Sequence, residues 1–248
     1  MPSASLLSLK VALEEIKDLA LVARPSLRRG ESRSLRVARA AGRAQVVLLS
    51  SHFERYFYTS NEEAVAFLNG KELLSSVLPE SLKLLHSKYP IDDISETAWE
   101  HRSEKLAAFV AEDGWLWVSD RSGSLFHERL LTWFSAPKPT DLLRYYRYWN
   151  IEDIFTRITR MLGARSRLWL GIQELVEMRN SIAHGDFAAQ PTQQDVNRYL
   201  RSASTFCERA DRELARVLAR LTGGNPPLVM MILKFGHQRR GDVWVRRQ

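Results

Sequence analysis

The chain has 248 residues, a net charge of +7, 45% hydrophobic residues and a single cysteine. That length accommodates one large or two small domains with a real core, and no apolar run approaches the roughly 18 residues of a membrane span. The lone Cys207 excludes an intrachain disulfide and fits a reducing cytoplasm, which is the expected location. In its helical context beside Phe206 it reads as a small buried residue rather than a nucleophile. The first stretch, Leu6 to Ala23, is amphipathic and carries Lys10, Glu14, Glu15, Lys17 and Asp18, unlike a signal peptide. Basic residues gather at Arg24 to Arg43, at Arg144 to Arg167 and at Arg239 to Arg247, a distribution that suits a polyanion as well as solvated helix faces.

Taken in order, most segments predict helix. A first helix over Ser5–Ala23 is followed by Pro25 and Arg28-Arg29-Gly30, which mark a linker. A second, over Ser34–Tyr58, has the apolar stripe Leu35, Ala38, Gly42, Val46, Leu49, Phe53 and Tyr56 or Phe57. From Asn61 to Tyr89 the pattern breaks into short pieces, with Asn61 as an N-cap and Asn69-Gly70 and Pro79 as stops. Ser95–Glu112 predicts another helix, and Trp115-Leu116-Trp117-Val118 a short strand. Thr140 is expected to cap a helix over Asp141–Trp149, with a further one over Ile151–Leu162. Arg167–His184 and Gln193–Leu221 follow, the latter opened by Thr192 and Asp195, which resemble a capping box. Its core stripe is Val196, Tyr199, Ala203, Phe206, Ala210, Leu214, Val217 and Leu221. Beyond Gly223-Gly224, Val243-Trp244-Val245 suggests a hairpin. The divisions expected are an N-terminal helix over 1–24, a helical domain over 34–222 and a basic tail over 223–248.

The chemistry concentrates in Arg179-Asn180-Ser181-Ile182-Ala183-His184. Arg179 falls on the helix face shared by Leu168, Ile172, Leu175, Ile182 and Ala183, and an arginine on a core-facing stripe is costly unless it is paired or lies at an interface or site. His184 follows just before Gly185 breaks the helix. A fixed cation beside a titratable imidazole at a helix end suits phosphate chemistry. The competing reading is structural: Arg179 pairs with a carboxylate such as Glu54, and His184 is an ordinary helix-end histidine. Arg121 and His127 have similar spacing, but they straddle Ser122-Gly123-Ser124 without helical periodicity and read as a chance match. The aromatics around Tyr145-Tyr146-Arg147-Tyr148-Trp149 read as core and rim rather than as a base-stacking platform. No Cys/His cluster has zinc-ligand spacing and no Gly-rich phosphate loop is visible, so neither metal nor cofactor is expected.

Three stretches resemble the HEPN superfamily, and within it the RiboL-PSP-HEPN-like group. They are Arg39-Ala40-Ala41 through Ser51-His52-Phe53-Glu54-Arg55-Tyr56, Trp149-Asn150-Ile151-Glu152-Asp153-Ile154, and Leu175-Val176-Glu177-Met178-Arg179-Asn180-Ser181-Ile182-Ala183-His184-Gly185. The superfamily motif is an arginine, a polar residue, three to five others and a histidine, and Asn180 fills the polar position. The resemblance covers about 34–220. It implies an all-α bundle, a homodimer and metal-independent RNA cleavage. Arg179 and His184 would be catalytic, Asn180 would assist, and Glu54 would orient the arginine.

The resemblance further implies a role as a toxin or antiphage-defence effector, with an antitoxin or other regulatory protein as partner, or alternatively a non-catalytic module that binds RNA or protein. Helix geometry bears on the dimer separately. Residues five apart are rotated by about 140° and displaced by about 7.5 Å, so one helix does not aim both side chains at one phosphate. Two copies across a two-fold axis would join two arginines and two histidines in one cleft.

Overall fold

The computed structural model describes residues 2–29 and 32–224, with the backbone alone for 22–29, 32 and 33. Among the described residues the fold is all-α, and the only β contact is an isolated antiparallel bridge between Leu74 and Ser122. The expected tail hairpin lies outside them.

Four long helices make the main bundle: α1 (Ala4–Arg29), α2 (Ser32–Asn69), α8 (Leu162–Ala183) and α9 (Gln193–Thr222). α2 packs against the other three. Between α2 and α8 the chain builds a second lobe from α3 (Glu80–Glu96), α4 (Arg102–Asp113), α5 (His127–Leu130), α6 (Pro139–Tyr148) and α7 (Ile154–Ile158).

The apolar stripes explain the bundle. On α9 every expected core position from Val196 to Val217 is buried, and Leu221 packs at the edge. Thr192 and Asp195 form the predicted capping box. On α2, Val46, Leu49, Phe53, Tyr56 and Phe57 are buried, but Leu35 is exposed. α2 also runs about three turns beyond the expected stop. Thr59 Oγ1 donates back to Arg55 O at 3.0 Å, and Asn61, expected as a cap, instead donates from Nδ2 to His127 O at 2.8 Å. Trp115 to Val118 is not a strand: Gly114–Trp117 forms a 3₁₀ turn in which Trp115 and Leu116 both turn inward, a pattern that alternation cannot produce.

α1 runs on through Pro25 and belongs to the same core. Its Leu6, Leu9, Leu13 and Ile16 are buried with the residues of α2 and α9. Polar anchors fix its start: Glu63 accepts from Ser5 N–H at 2.8 Å, and buried Asp211 accepts from Ser3 N–H at 3.2 Å and from its hydroxyl. Gln45 Nε2 donates to Ile16 O at 2.7 Å. α8 and α9 meet at Gly171, where a Cβ would fall 2.2 Å from Ser202 Oγ.

In the second lobe a buried polar cluster pins the 121–131 segment. Arg129 Nη1 donates to both Asp113 oxygens at 2.7 Å, and Phe126 N–H donates to His86 Nε2 at 2.8 Å. His86 Nδ1 lies 3.6 Å from Asp113 Oδ1. Burial drives the His86 pKa down to about 4, against the opposing pull of Asp113.

Candidate active site

α8 buries Leu168, Ile172, Leu175 and Val176, but its last turns project past the core. Met178 and Ile182 are partly covered, while Arg179, Ala183 and His184 are exposed. This corrects the expectation that Arg179 occupies a core-facing position. It keeps the angular register of the stripe, yet the residue is exposed and its charge stays in water.

Arg179 makes no ion pair among the described residues, and its Nη1 donates to Asn180 Oδ1 at 3.2 Å. Glu54, half-buried on α2, faces the same place. Burial raises its carboxyl pKa and the charge of Arg179 lowers it, so the two groups feel each other without forming a salt bridge.

The helix end fixes His184. Gly185 N–H donates to Ile182 O at 3.1 Å and Asp186 N–H to Ser181 O at 3.0 Å. With Gly185 at φ +81°, this is a Schellman motif with His184 as the C-cap. A residue with a Cβ is strained there, so glycine secures the turn. The backbone under the imidazole is therefore defined, while the ring itself has no hydrogen-bond partner among the described residues.

The following loop is also built. Ala188 N–H donates to Asp186 Oδ1 at 2.8 Å, and Arg43 of α2 donates from Nη1 to Asp186 O at 3.3 Å. Arg43 also lies 6.0 Å from the ring centroid of Phe187, which is 84% exposed. Gly42 lets Pro191 approach: a Cβ there would meet Pro191 O at 3.2 Å. The charge pattern counts Arg43 in a basic run but does not place it beside the motif, because that contact spans 143 residues. Phe187 carries no periodic signal at all.

The structure therefore sets Glu54 near Arg179 and Asn180, and Arg43 on the loop that follows His184. Arg121 and His127 lie in the second lobe, where His127 Nδ1 is 3.4 Å from Glu128. Tyr145, Tyr146 and Trp149 are fully buried. Cys207 is buried too, and burial pushes its thiol well above the ordinary range, as expected of a structural cysteine.

The family model described as RiboL-PSP-HEPN matches residues 8–216. The chain belongs to that family. The match takes in most of α1, which the sequence motifs do not reach, in keeping with its place in the shared core. HEPN membership points to a nuclease-like or RNA-related module. Nothing matches among curated proteins or solved structures. Among the described residues, no helix is long and apolar enough to cross a membrane.

Proposed function

We propose that this HEPN protein is a metal-independent endoribonuclease acting as a homodimer, with a toxin or defence role. The observation that carries the reading is the pairing of an exposed Arg179, hydrogen-bonded to Asn180, with an exposed His184 whose backbone is clamped by the Schellman turn. These are the motif residues of its family, and both stand free to meet a ligand.

In this reaction RNA supplies the nucleophile. The 2′-oxygen bonds to phosphorus as its proton passes to a neutral His184. Charge gathering on the phosphorane is met by Arg179. The bond from phosphorus to the 5′-oxygen then breaks, and a protonated imidazole gives the leaving oxygen its proton. The products are a 2′,3′-cyclic phosphate and a 5′-hydroxyl, and DNA, lacking the 2′-hydroxyl, is inert. One protomer offers one such histidine, and the two motif residues diverge by about 140° around the helix. A second copy across a two-fold axis supplies the complementary pair, with the exposed end of α8 as the meeting surface.

The test is incubation of total RNA with the purified full chain in EDTA, beside Arg179→Ala and His184→Ala. The expected result is cleavage that both substitutions abolish without unfolding the protein, leaving cyclic-phosphate ends. Cutting that persists in both variants sinks the assignment. Inactivity of all three proteins favours a non-catalytic module that binds RNA or a protein partner.

A further inference from the structure

α9 carries a second pattern beside its core stripe. Arg198, Arg201, Arg209, Arg212, Arg216 and Arg220, with Thr205 between the second and third, recur at spacings of three and four. At 100° per residue they fall within an arc of about 100°, on the flank turned away from the buried stripe. No acidic residue shares the arc. Like charges three and four apart on a helix repel, so the stripe is an arrangement that folding alone does not favour.

Two clefts lie along it. The first, of about 470 Å³, has Arg198, Arg201 and Arg209 on one bank and Arg167 of α8 on the other, with the Ser202 and Thr205 side chains in its lining. The second, of about 680 Å³, is lined by Arg157, Arg160, Arg216 and Arg220 together with the carboxylates Glu152, Asp153 and Glu213. Acidic neighbours engage only part of this charge. Glu174 and Asp195 hold Arg198 at 2.7 and 3.0 Å, and Glu213 holds Arg216 and, at 3.1 Å, Arg157. Arg209 is tied to Ile158 O and Thr159 Oγ1, both at 3.1 Å. Arg201, Arg212 and Arg220 are exposed and have no ion-pair partner among the described residues.

We propose that this flank of α9 is a phosphodiester track that holds an RNA strand by its backbone and leads it to the motif. The inference rests on the nuclease reading for its destination. The Arg198 end is bound to Glu174 of α8, about 15 Å along that helix from His184 and about 80° around it. From there to Arg220 the track runs about 33 Å, the length of about ten stacked nucleotides at 3.4 Å each. Arginine side chains and hydroxyls read phosphate and sugar, so the track contributes affinity without base preference.

The test measures binding of a labelled strand of about twelve nucleotides, just longer than the track, as RNA and as DNA of the same sequence. The full chain carries His184→Ala so that the RNA survives, with and without Arg201→Gln, Arg212→Gln and Arg220→Gln together. These three arginines are exposed and make no ion pair among the described residues, and a thermal melt confirms folding. With each arginine worth about 0.7 in the logarithmic salt dependence for a single strand, the triple variant's slope is shallower by about 2. Raising salt from about 50 to about 200 mM then weakens the parent about twentyfold more than the variant. The same difference is expected for RNA and DNA, because both present the backbone.

Unchanged affinity and slope in the triple variant overturn the track and assign the arginines to another acidic partner. Cleavage by the wild-type chain is read separately. If it is present while the slope is unchanged, the track alone fails. If the slope drops but no RNA is cut, the nuclease reading fails and the track stands. If neither nucleic acid binds, the track fails, and if no RNA is cut either, both fail.

Discussion

Gly185→Ala separates the positioning of His184 from general stability, because the fold contains its own control. Gly185 ends α8 at φ +81°, and Gly223 ends α9 at φ +64°; at neither would an added Cβ meet another atom within 4 Å. Steric clash is therefore no part of the cost, which comes from placing an L-residue in the left-handed region, about 1–2 kcal/mol. The reduced freedom of the unfolded chain returns up to about 1 kcal/mol. Each glycine-to-alanine change is thus expected to destabilise by about 1 kcal/mol, or about 2–4 °C in Tm for a chain of this size.

The consequences for activity differ. Relaxing the turn at residue 185 loosens the two hydrogen bonds that hold the backbone of His184, and a shift of about 1 Å in a reacting group costs on the order of a hundredfold in rate. Gly223→Ala spends the same stability at the far end of another helix and keeps the wild-type rate. Denaturant midpoints and single-turnover cleavage, measured side by side, check both halves. Gly185→Asn, which tolerates the left-handed region better, is expected to recover much of the activity. Equal losses of activity in the Gly185→Ala and Gly223→Ala proteins would refute the idea that the cap positions the imidazole.

Other consequences concern the scaffold. His86 titrates at an ordinary 6.5 when unfolded but at about 4 in the fold, so its neutral form contributes stability that is complete above pH 6.5 and is lost as the pH falls to 4. The full loss is about 3 kcal/mol, and urea titrations across that range should show it, with His86→Gln flattening the acid limb. Gly171→Ala would drive a Cβ into Ser202 and force α8 and α9 apart. The expected destabilisation is about 1–3 kcal/mol, seen as a lower Tm, with partial rescue by Ser202→Gly. Deleting 1–21 removes Leu6, Leu9, Leu13 and Ile16 from the core, a loss of about 6–12 kcal/mol against a total stability of about 5–15 kcal/mol. The truncated chain should show no cooperative melt, and a sharp transition would mean that α2, α8 and α9 form a core without α1.

Much of the helical content is legible in the apolar spacing. α9 shows how far this goes: a single stripe, a capping box and a glycine stop set both its ends and its buried face, because all three signals act within a few residues. Misreadings arise where distant partners override local signals. Asn61 has the chemistry of a cap, but a carbonyl 66 residues away satisfies it inside a continuing helix. Trp115 to Val118 has strand-forming residues, but both Trp115 and Leu116 find the core at once.

The sequence by itself determines the helical class, the family motif and the glycine that fixes the end of the motif helix, because periodicity and turn chemistry are local. The tertiary structure decides which stretches of each stripe are covered. It leaves Arg179 in water where the helical pattern places it against the core. It also sets Glu54 and Arg43 beside the motif, folds α1 into the common core, and aligns the arginines of α9 with those of α7 and α8 along two clefts. Each of these depends on contacts between residues far apart in the chain, which spacing along one helix does not encode.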